Sequence, residues 1–182
     1  MNINDIIVIG LLSEEPRHGY DIAKQIEERS MTEWAGINIQ TIYNRIKHLE
    51  ESGYIKLEAV KKEGNMPERN VYRPLKKAYG YLHENIIEAL RKKDETAVLI
   101  SLGFMLPVLD RRIVFEIEDL YNHSREILEE KRKQKDAPEH KNIPPNWKIL
   151  MESGIEFHDV FIKTIGKILK VINDGKLPVK ED

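Results

Sequence analysis

The chain predicts a mainly helical protein in two domains, the first interrupted by a short β-hairpin and the second built from helices alone. Three observations carry this prediction. Between Ile37 and Val60 the apolar residues first fall three and four apart (Ile39, Ile42, Tyr43, Ile46, Leu49). After Gly53 they alternate, Ile55, Leu57 and Ala59 against Lys56 and Glu58. That is the change from a helical period of about 3.6 to a strand period of about 2. Two further helical patterns precede this switch, and from Asp94 the sequence turns to long helical stretches around a single good linker, DAPEHKNIPP. A chain of 182 residues has room for two small domains with cores of their own, and the composition shift places them at 1–93 and 94–182.

Each element has its own justification. Ile3 to Leu12 carries Ile6, Ile7, Ile9, Leu11 and Leu12, so a buried first helix is expected, ended by Ser13-Glu14-Glu15-Pro16. A second helix runs from about His18 to Ser30, with Tyr20, Ile22, Ala23 and Ile26 inward and Asp21, Lys24, Glu27 and Glu28 outward. A loop holding Trp34 and Gly36 leads to the third helix. Asn38 suits its N-cap, because the side-chain oxygen can accept an orphan amide two or three residues on. Gly53 suits the left-handed position that closes it, with Tyr54 packing back on the last turn.

Strands follow at Tyr54 to Val60 and at about Arg69 to Arg73, joined by KKEGNMPE, whose Gly64, Asn65 and Pro67 supply turn chemistry. After Pro74 a fourth helix from about Leu75 to Lys92 buries Leu82, Ile86, Ile87 and Leu90. TAVLISLGFML is apolar nearly all round and should be covered on most sides. Pro107 breaks it. An amphipathic helix from Leu109 to about Lys135 uses Ile113, Ile117, Leu120, Ile127 and Leu128, and the last helix runs from about Pro145 to Asn173.

Composition narrows the function classes. The chain has no cysteine, which removes disulfides, thiolate catalysis and cysteine-ligated zinc. No run approaches the roughly 18 apolar residues of a membrane span, and MNINDIIVIGLL lacks the basic start and small-residue cleavage site of a secretion signal. A cytoplasmic protein without a membrane partner is expected. The net charge of −2 excludes a globally basic nucleic-acid binder. Charge is uneven, though. Residues 37–77 hold nine bases (Arg45, Lys47, Lys56, Lys61, Lys62, Arg69, Arg73, Lys76, Lys77) against five acids (Glu50, Glu51, Glu58, Glu63, Glu68), so a polyanion should meet the N-terminal half.

Three helices followed by a two-stranded hairpin is the order of a winged helix–turn–helix, in which the third helix enters the major groove and the hairpin reaches along the backbone. The outer face of that helix carries Gln40, Thr41, Asn44, Arg45, Lys47 and His48. Gln and Asn pair with adenine edges and a Thr methyl can touch thymine. Gln40, Thr41 and Asn44 lie in the first turns, where bases are read, while Lys47 and His48 are better placed for phosphate. For the helix alone, an ordinary polar solvent face explains the set equally well. The hairpin tips the balance, since Lys61, Lys62 and Arg69 flank a turn containing Asn65, where a wing meets phosphates. The competing function on the same scaffold is a protein–protein module without base readout.

The runs IIVIGLLSEEPRHGYDIAKQIEER and TIYNRIKHLEESGYIKLEAVKKEGNMPERNVYR resemble the PadR family of transcriptional regulators. The matching signatures are G-L-L-x-x-x-P-x-H-G-Y at Gly10 to Tyr20, T-[IL]-Y-x-x-[IL]-x-x-L-x-x-x-G-[YL]-[IV] at Thr41 to Ile55, and P-x-R-x-x-Y at Pro67, Arg69 and Tyr72. The C-terminal half is similar in pattern to the longer helical branch of that family. Two departures stand out: PLKKAYG where the family usually has L-T-x-x-G, and Asn44 where it often has Pro. The resemblance implies a DNA-binding regulator, more often a repressor, acting as a homodimer on a near-palindromic operator. Asn38 and Tyr43 complete the recognition-helix set, and His18, Gly19 and Tyr20 at the start of the second helix read as a phosphate anchor, since Gly19 has no side chain and lets the free amides and helix dipole approach the anion. Tyr20 is read equally well as a core aromatic.

The six histidines offer no pair at metal-ligand spacing on one helical turn, and no nucleophile elbow, P-loop or dinucleotide fingerprint appears. Neither a metal, nor a cofactor, nor an enzyme is expected. The C-terminal helices should form an association face, with Leu102, Phe104, Phe157 and Phe161 as apolar contacts to a second copy or to an effector, the alternative being that these helices cover one another within one chain. Trp147 has two readings, an interface anchor or a pocket wall for the aromatic or drug-like effectors that some members of the family sense.

Overall fold

The computed structural model describes residues 2–61, 69–135 and 143–181, with Val60, Lys61, Arg69 and Lys135 defined by backbone alone. The chain forms two compact units, Met1–Leu109 and Asp110–Asp182.

In the first unit, helix α1 (Ile3–Glu14) is the central element. Its residues Ile6, Ile7, Val8, Ile9 and Leu11 are all buried, and it packs against each of the other long helices of the unit. Asn2 caps it, its side-chain oxygen accepting from the Asn4 amide at 3.0 Å. Pro16 then sends the chain into a two-residue strand, β1 (Arg17–His18), which no periodicity could reveal. Helix α2 follows (Gly19–Glu28) and buries Ile22, Ala23 and Ile26 as its stripe requires. It stops two residues earlier than expected, because Ser30 adopts a left-handed backbone (φ 52°). The expected loop also contains a short helix, α3 (Met31–Trp34), whose Trp34 indole donates back to the Arg29 carbonyl at 3.1 Å.

Helix α4 (Ile39–Glu51) has the two ends read from the sequence. Asn38 accepts from the Thr41 amide at 3.2 Å. At the other end Gly53 takes φ 66°, and its amide and that of Tyr54 donate to the Glu50 and Leu49 carbonyls, both at 2.8 Å. This is the Schellman arrangement that favours glycine at that position. The strands β2 (Ile55–Lys61) and β3 (Arg69–Pro74) pair antiparallel, but the sheet has three strands and not two: β1 adds on the far side of β3, in the order β1-β3-β2. The register slips between Leu57 and Ala59, so alternation along β2 is broken, and Leu57 is exposed although Ile55 is buried.

Helix α5 (Lys76–Lys92) buries Leu82, Ile86, Ile87 and Leu90, and helix α6 (Glu95–Phe104) is buried on most sides. Because α6 packs on α1 and α5, the first compact unit continues to Leu109 and does not end at residue 93. Leu102 and Phe104 are therefore interior residues of the single chain. Phe104 lies directly against Gly10 of α1, where its ring leaves no room for a Cβ.

The second unit pairs helix α7 (Arg111–Lys135) with helix α8 (Pro145–Asn173). Asp110 caps α7 through the Ile113 amide at 2.9 Å. Ile117, Leu120 and Leu128 are buried on α7, and Phe161, Ile162, Ile165, Leu169 and Ile172 on α8. His158 points its Nε2 at the Ser124 carbonyl at 3.1 Å, and Arg132 reaches Asp159 at 3.1 Å. Among the described residues, no helix is long and apolar enough to cross a membrane.

One ion pair in the first unit gives a pH-dependent expectation. The Glu14 carboxylate, at the end of α1, accepts from Arg29 at 2.8 and 2.7 Å and from Arg17 at 3.1 Å. The hydrogen bond from Arg29 is the main reason its pKa falls below the ordinary 4.5. A carboxyl whose pKa is lowered by folding adds stability that is present above the unfolded value and lost as pH falls through the lowered one. Glu14→Gln should thus destabilise modestly at neutral pH, since the pair is partly exposed, and the gap to the parent should narrow as pH falls through and below the ordinary carboxylate range. Urea unfolding of both proteins over an acid series checks it; a gap that does not narrow on acidification assigns the effect elsewhere.

Candidate nucleic-acid interface

Helix α4 presents its side chains as a helical period dictates. Ile42, Ile46 and Leu49 are buried, while Gln40, Thr41, Tyr43, Asn44, Lys47 and His48 are exposed. The Asn38 side chain is committed to capping. Lys47 makes only a loose contact, 3.8 Å, with Glu51 one turn on.

Beside this helix the start of α2 forms one wall of an open groove of about 670 Å³, lined by His18, Gly19, Tyr20, Tyr43, Lys47 and Tyr72 among others. Two sets that lie apart in the sequence, His18 to Tyr20 and Tyr43 to Lys47, are thus one surface. Gly19 permits the meeting, since a Cβ there would lie 3.1 Å from the Tyr43 ring. Tyr20 is 60% exposed, which decides against a core aromatic. His18 has its Nε2 3.7 Å from Asp21, and its Nδ1 is buried with no hydrogen-bond partner among the described residues. Tyr72 and Asn70 of β3 complete the far wall. Asn70 carried no signal of its own in the sequence, because its place depends on β3 pairing with β1.

Arg45 departs from the helical wheel. Its position groups it with the polar face, yet its guanidinium turns inward onto Asp5 of α1, with Nε and Nη2 donating to the two carboxylate oxygens at 2.7 and 2.8 Å. The Tyr81 hydroxyl of α5 donates to the same carboxylate at 2.8 Å. The Asp5 side chain is 1% exposed and that of Arg45 22%. The hydrogen bond to Asp5 raises the Arg45 pKa above its ordinary value. Burial first, and then its bond to Asp5, pushes the Tyr81 hydroxyl up to about 12, so it remains a donor throughout the physiological range. A lone Asp in the apolar run of α1 was the sequence signal for this cluster, since a buried charge needs a partner.

Lys61 and Arg69 face one another in the backbone register of β2 and β3, and Lys62 and Asn65 lie outside the described residues. In the second unit, Phe161 is buried between the helices, while Trp147 is 57% and Phe157 61% exposed.

Residues 8–74 match the transcriptional regulator PadR-like family. The matched span runs from α1 to the end of β3 and contains the signatures at Gly10 to Tyr20, Thr41 to Ile55 and Pro67 to Tyr72. Among solved structures, the chain is similar to Bacillus subtilis PadR in complex with operator DNA. Identity is 17% over 94% of this chain and 98% of that one, with a TM-score of 0.43. It is also similar to smu.1604c from Streptococcus mutans UA159, at 22% identity over 93% of this chain and 99% of that one, TM-score 0.40. No curated protein matches the sequence.

Proposed function

We propose that the protein is a DNA-binding transcriptional regulator, a repressor in its simplest form, that grips a near-palindromic operator as a homodimer. The observation that carries this reading is the joint surface of α4 and α2. Gln40, Thr41 and Asn44 stand exposed in the first turns of α4, where side chains can pair with base edges. Next to them, the amino end of α2 with Tyr20 and Lys47 lines a groove suited to the phosphate backbone. The PadR-like match over the same span supports it. The homodimer is supported by the apolar face of α8, where Trp147, Leu150, Phe157 and Val160 are all exposed. Trp147, at the start of that helix, offers a stacking face to an aromatic or drug-like effector that would release the operator.

Base-reading and phosphate-holding residues should separate cleanly by experiment. Gln40→Ala and Asn44→Ala should relax sequence preference, each costing about 1–3 kcal/mol at its cognate base pair. Lys61→Ala and Lys62→Ala should weaken preferred and random duplexes alike and make the salt dependence shallower. Fluorescence anisotropy with labelled duplexes over a salt series reads both. The reverse pattern would exchange the two roles. A parent protein whose weak duplex binding ignores salt would point instead to a protein partner for the winged unit.

A further inference from the structure

The apolar contacts of α4, through Ile42, Ile46 and Leu49, turn one face of the helix to the core and set its roll coarsely, and directional polar contacts refine it, because hydrophobic burial is itself non-directional. Base readout needs the roll fixed. Side-chain tips lie roughly 5–6 Å from a helix axis, so a 20° roll carries them about 2 Å, several times the tolerance of a hydrogen bond.

We propose that the Asp5–Arg45 pair, locked by the Tyr81 hydroxyl, is the device that sets the roll of α4, and so decides which of its side chains can meet a base edge. This rests on the DNA-binding reading above and names the residues that position its specificity face. A guanidinium fork docked on both oxygens of a carboxylate has a fixed plane and direction. Asp5 is itself fixed, because it sits in the fully buried part of α1 and receives a third donor from α5. Arg45 is one residue past Asn44, about 100° round the helix, and four past Thr41, so the anchor lies in the turn that carries the reading residues.

Helix α5 holds the chain again just past the far end of α4. Lys77 of α5 donates to the Ser52 carbonyl at 2.8 Å, and Tyr81 stacks on Tyr54 with ring centroids 4.4 Å apart. Buried ion pairs of this kind add little net stability over a well-packed apolar substitute, and their best-attested use is to fix a register. That division between stability and register is what an experiment can separate.

The test compares the parent with an apolar triple variant (Asp5→Leu, Arg45→Met, Tyr81→Phe) and with Arg45→Lys, which keeps the charge but loses the fork. Three readouts are needed: thermal unfolding, amide residual dipolar couplings of α4 relative to α1 and α5 in the free protein, and affinity for two duplexes. The duplexes are the tightest one selected by the parent from a randomised pool and a shuffled version of it. The triple variant should remain folded with altered α4 couplings. It should lose at least tenfold in discrimination between the duplexes, with shuffled-duplex affinity and its salt slope unchanged. Arg45→Lys should show the same pattern in weaker form, and it carries the test alone if the triple variant does not fold. Unchanged couplings, or full discrimination in a folded variant, overturn the proposal. If the parent itself fails to discriminate between duplexes, the DNA-binding reading fails, and the couplings alone then decide whether the pair positions the helix.

Discussion

A chain cut after Leu109 should fold, and a chain cut after Lys93 should not. The sequence alone suggested the earlier boundary, because composition shifts at Asp94. In the folded protein α6 is part of the first core. Together with the turn after it, α6 contributes Val98, Ile100, Leu102, Phe104 and Leu109 as buried side chains, and it packs on α1 and α5. At about 1.5–3 kcal/mol for each large apolar side chain, these five amount to roughly 7–15 kcal/mol. The whole stability of a typical domain is about 5–15 kcal/mol. Removing α6 also strips the cover from Gly10, whose missing side chain leaves room only for the Phe104 ring. Circular dichroism and urea unfolding of the two fragments would check this. A cooperative urea transition in the 1–93 fragment, with a midpoint near that of the longer one, would sink the argument.

The same helix shows what a sequence can and cannot disclose. Periodicity states that a face is apolar, but not what covers it. TAVLISLGFML read as buried on most sides, and it is, although Leu106 at its end is 46% exposed; it also read as part of an association surface, whereas Leu102 and Phe104 lie inside the first unit. Elements with strong local signals were legible. The cap at Asn38, the left-handed glycine at Gly53 and the span of α8 from Pro145 to Asn173 follow from residues within a few positions of each other. By contrast, β1 and α3 are too short, at two and four residues, to establish any period. The strand exists only because β3, some fifty residues on, offers Tyr72 and Val71 as partners.

In the candidate interface, exposure was legible and direction was not. Gln40, Thr41 and Asn44 stand on the outer face as the helical period requires. Arg45 sits on the same arc by angle, but its side chain is long enough to fold back, and a carboxylate buried in α1 draws it inward. A wheel diagram treats every residue as pointing radially, and a flexible four-torsion side chain need not obey it. The groove at the start of α2 was hidden for a different reason: its walls come from α2, α4 and β3, and only folding brings them together.

The proposed homodimer should be broken by Leu150→Glu combined with Phe157→Glu, with no loss of fold. These residues are seven apart on α8, within about 20° of each other around the axis, and Val160 and Ile149 lie on the adjoining arc. All four are exposed by 57–62% in the single chain, so a charge placed there disturbs no packing within it. The stripe from Trp147 to Val160 is about 20 Å long. Its two aromatics can each cover about 150–250 Å², a substantial share of the ~800 Å² per partner of a standard interface. In a two-fold dimer each substitution occurs twice, so four buried apolar groups are replaced by carboxylates. Only the part still exposed in the single chain, 57% of Leu150 and 61% of Phe157, can be buried by association, so at about 1.5–3 kcal/mol for full burial the loss is roughly 4–7 kcal/mol before any charge repulsion. That is at least several hundredfold in the dimer dissociation constant. Since two half-sites about 34 Å apart must be held together for specific binding, operator affinity should fall toward that of a random duplex, while the monomer keeps the helical circular dichroism and cooperative unfolding of a folded chain. Sedimentation equilibrium at micromolar concentration decides it. A parent that is already monomeric, or a double variant that still sediments as a dimer, would remove α8 from the interface.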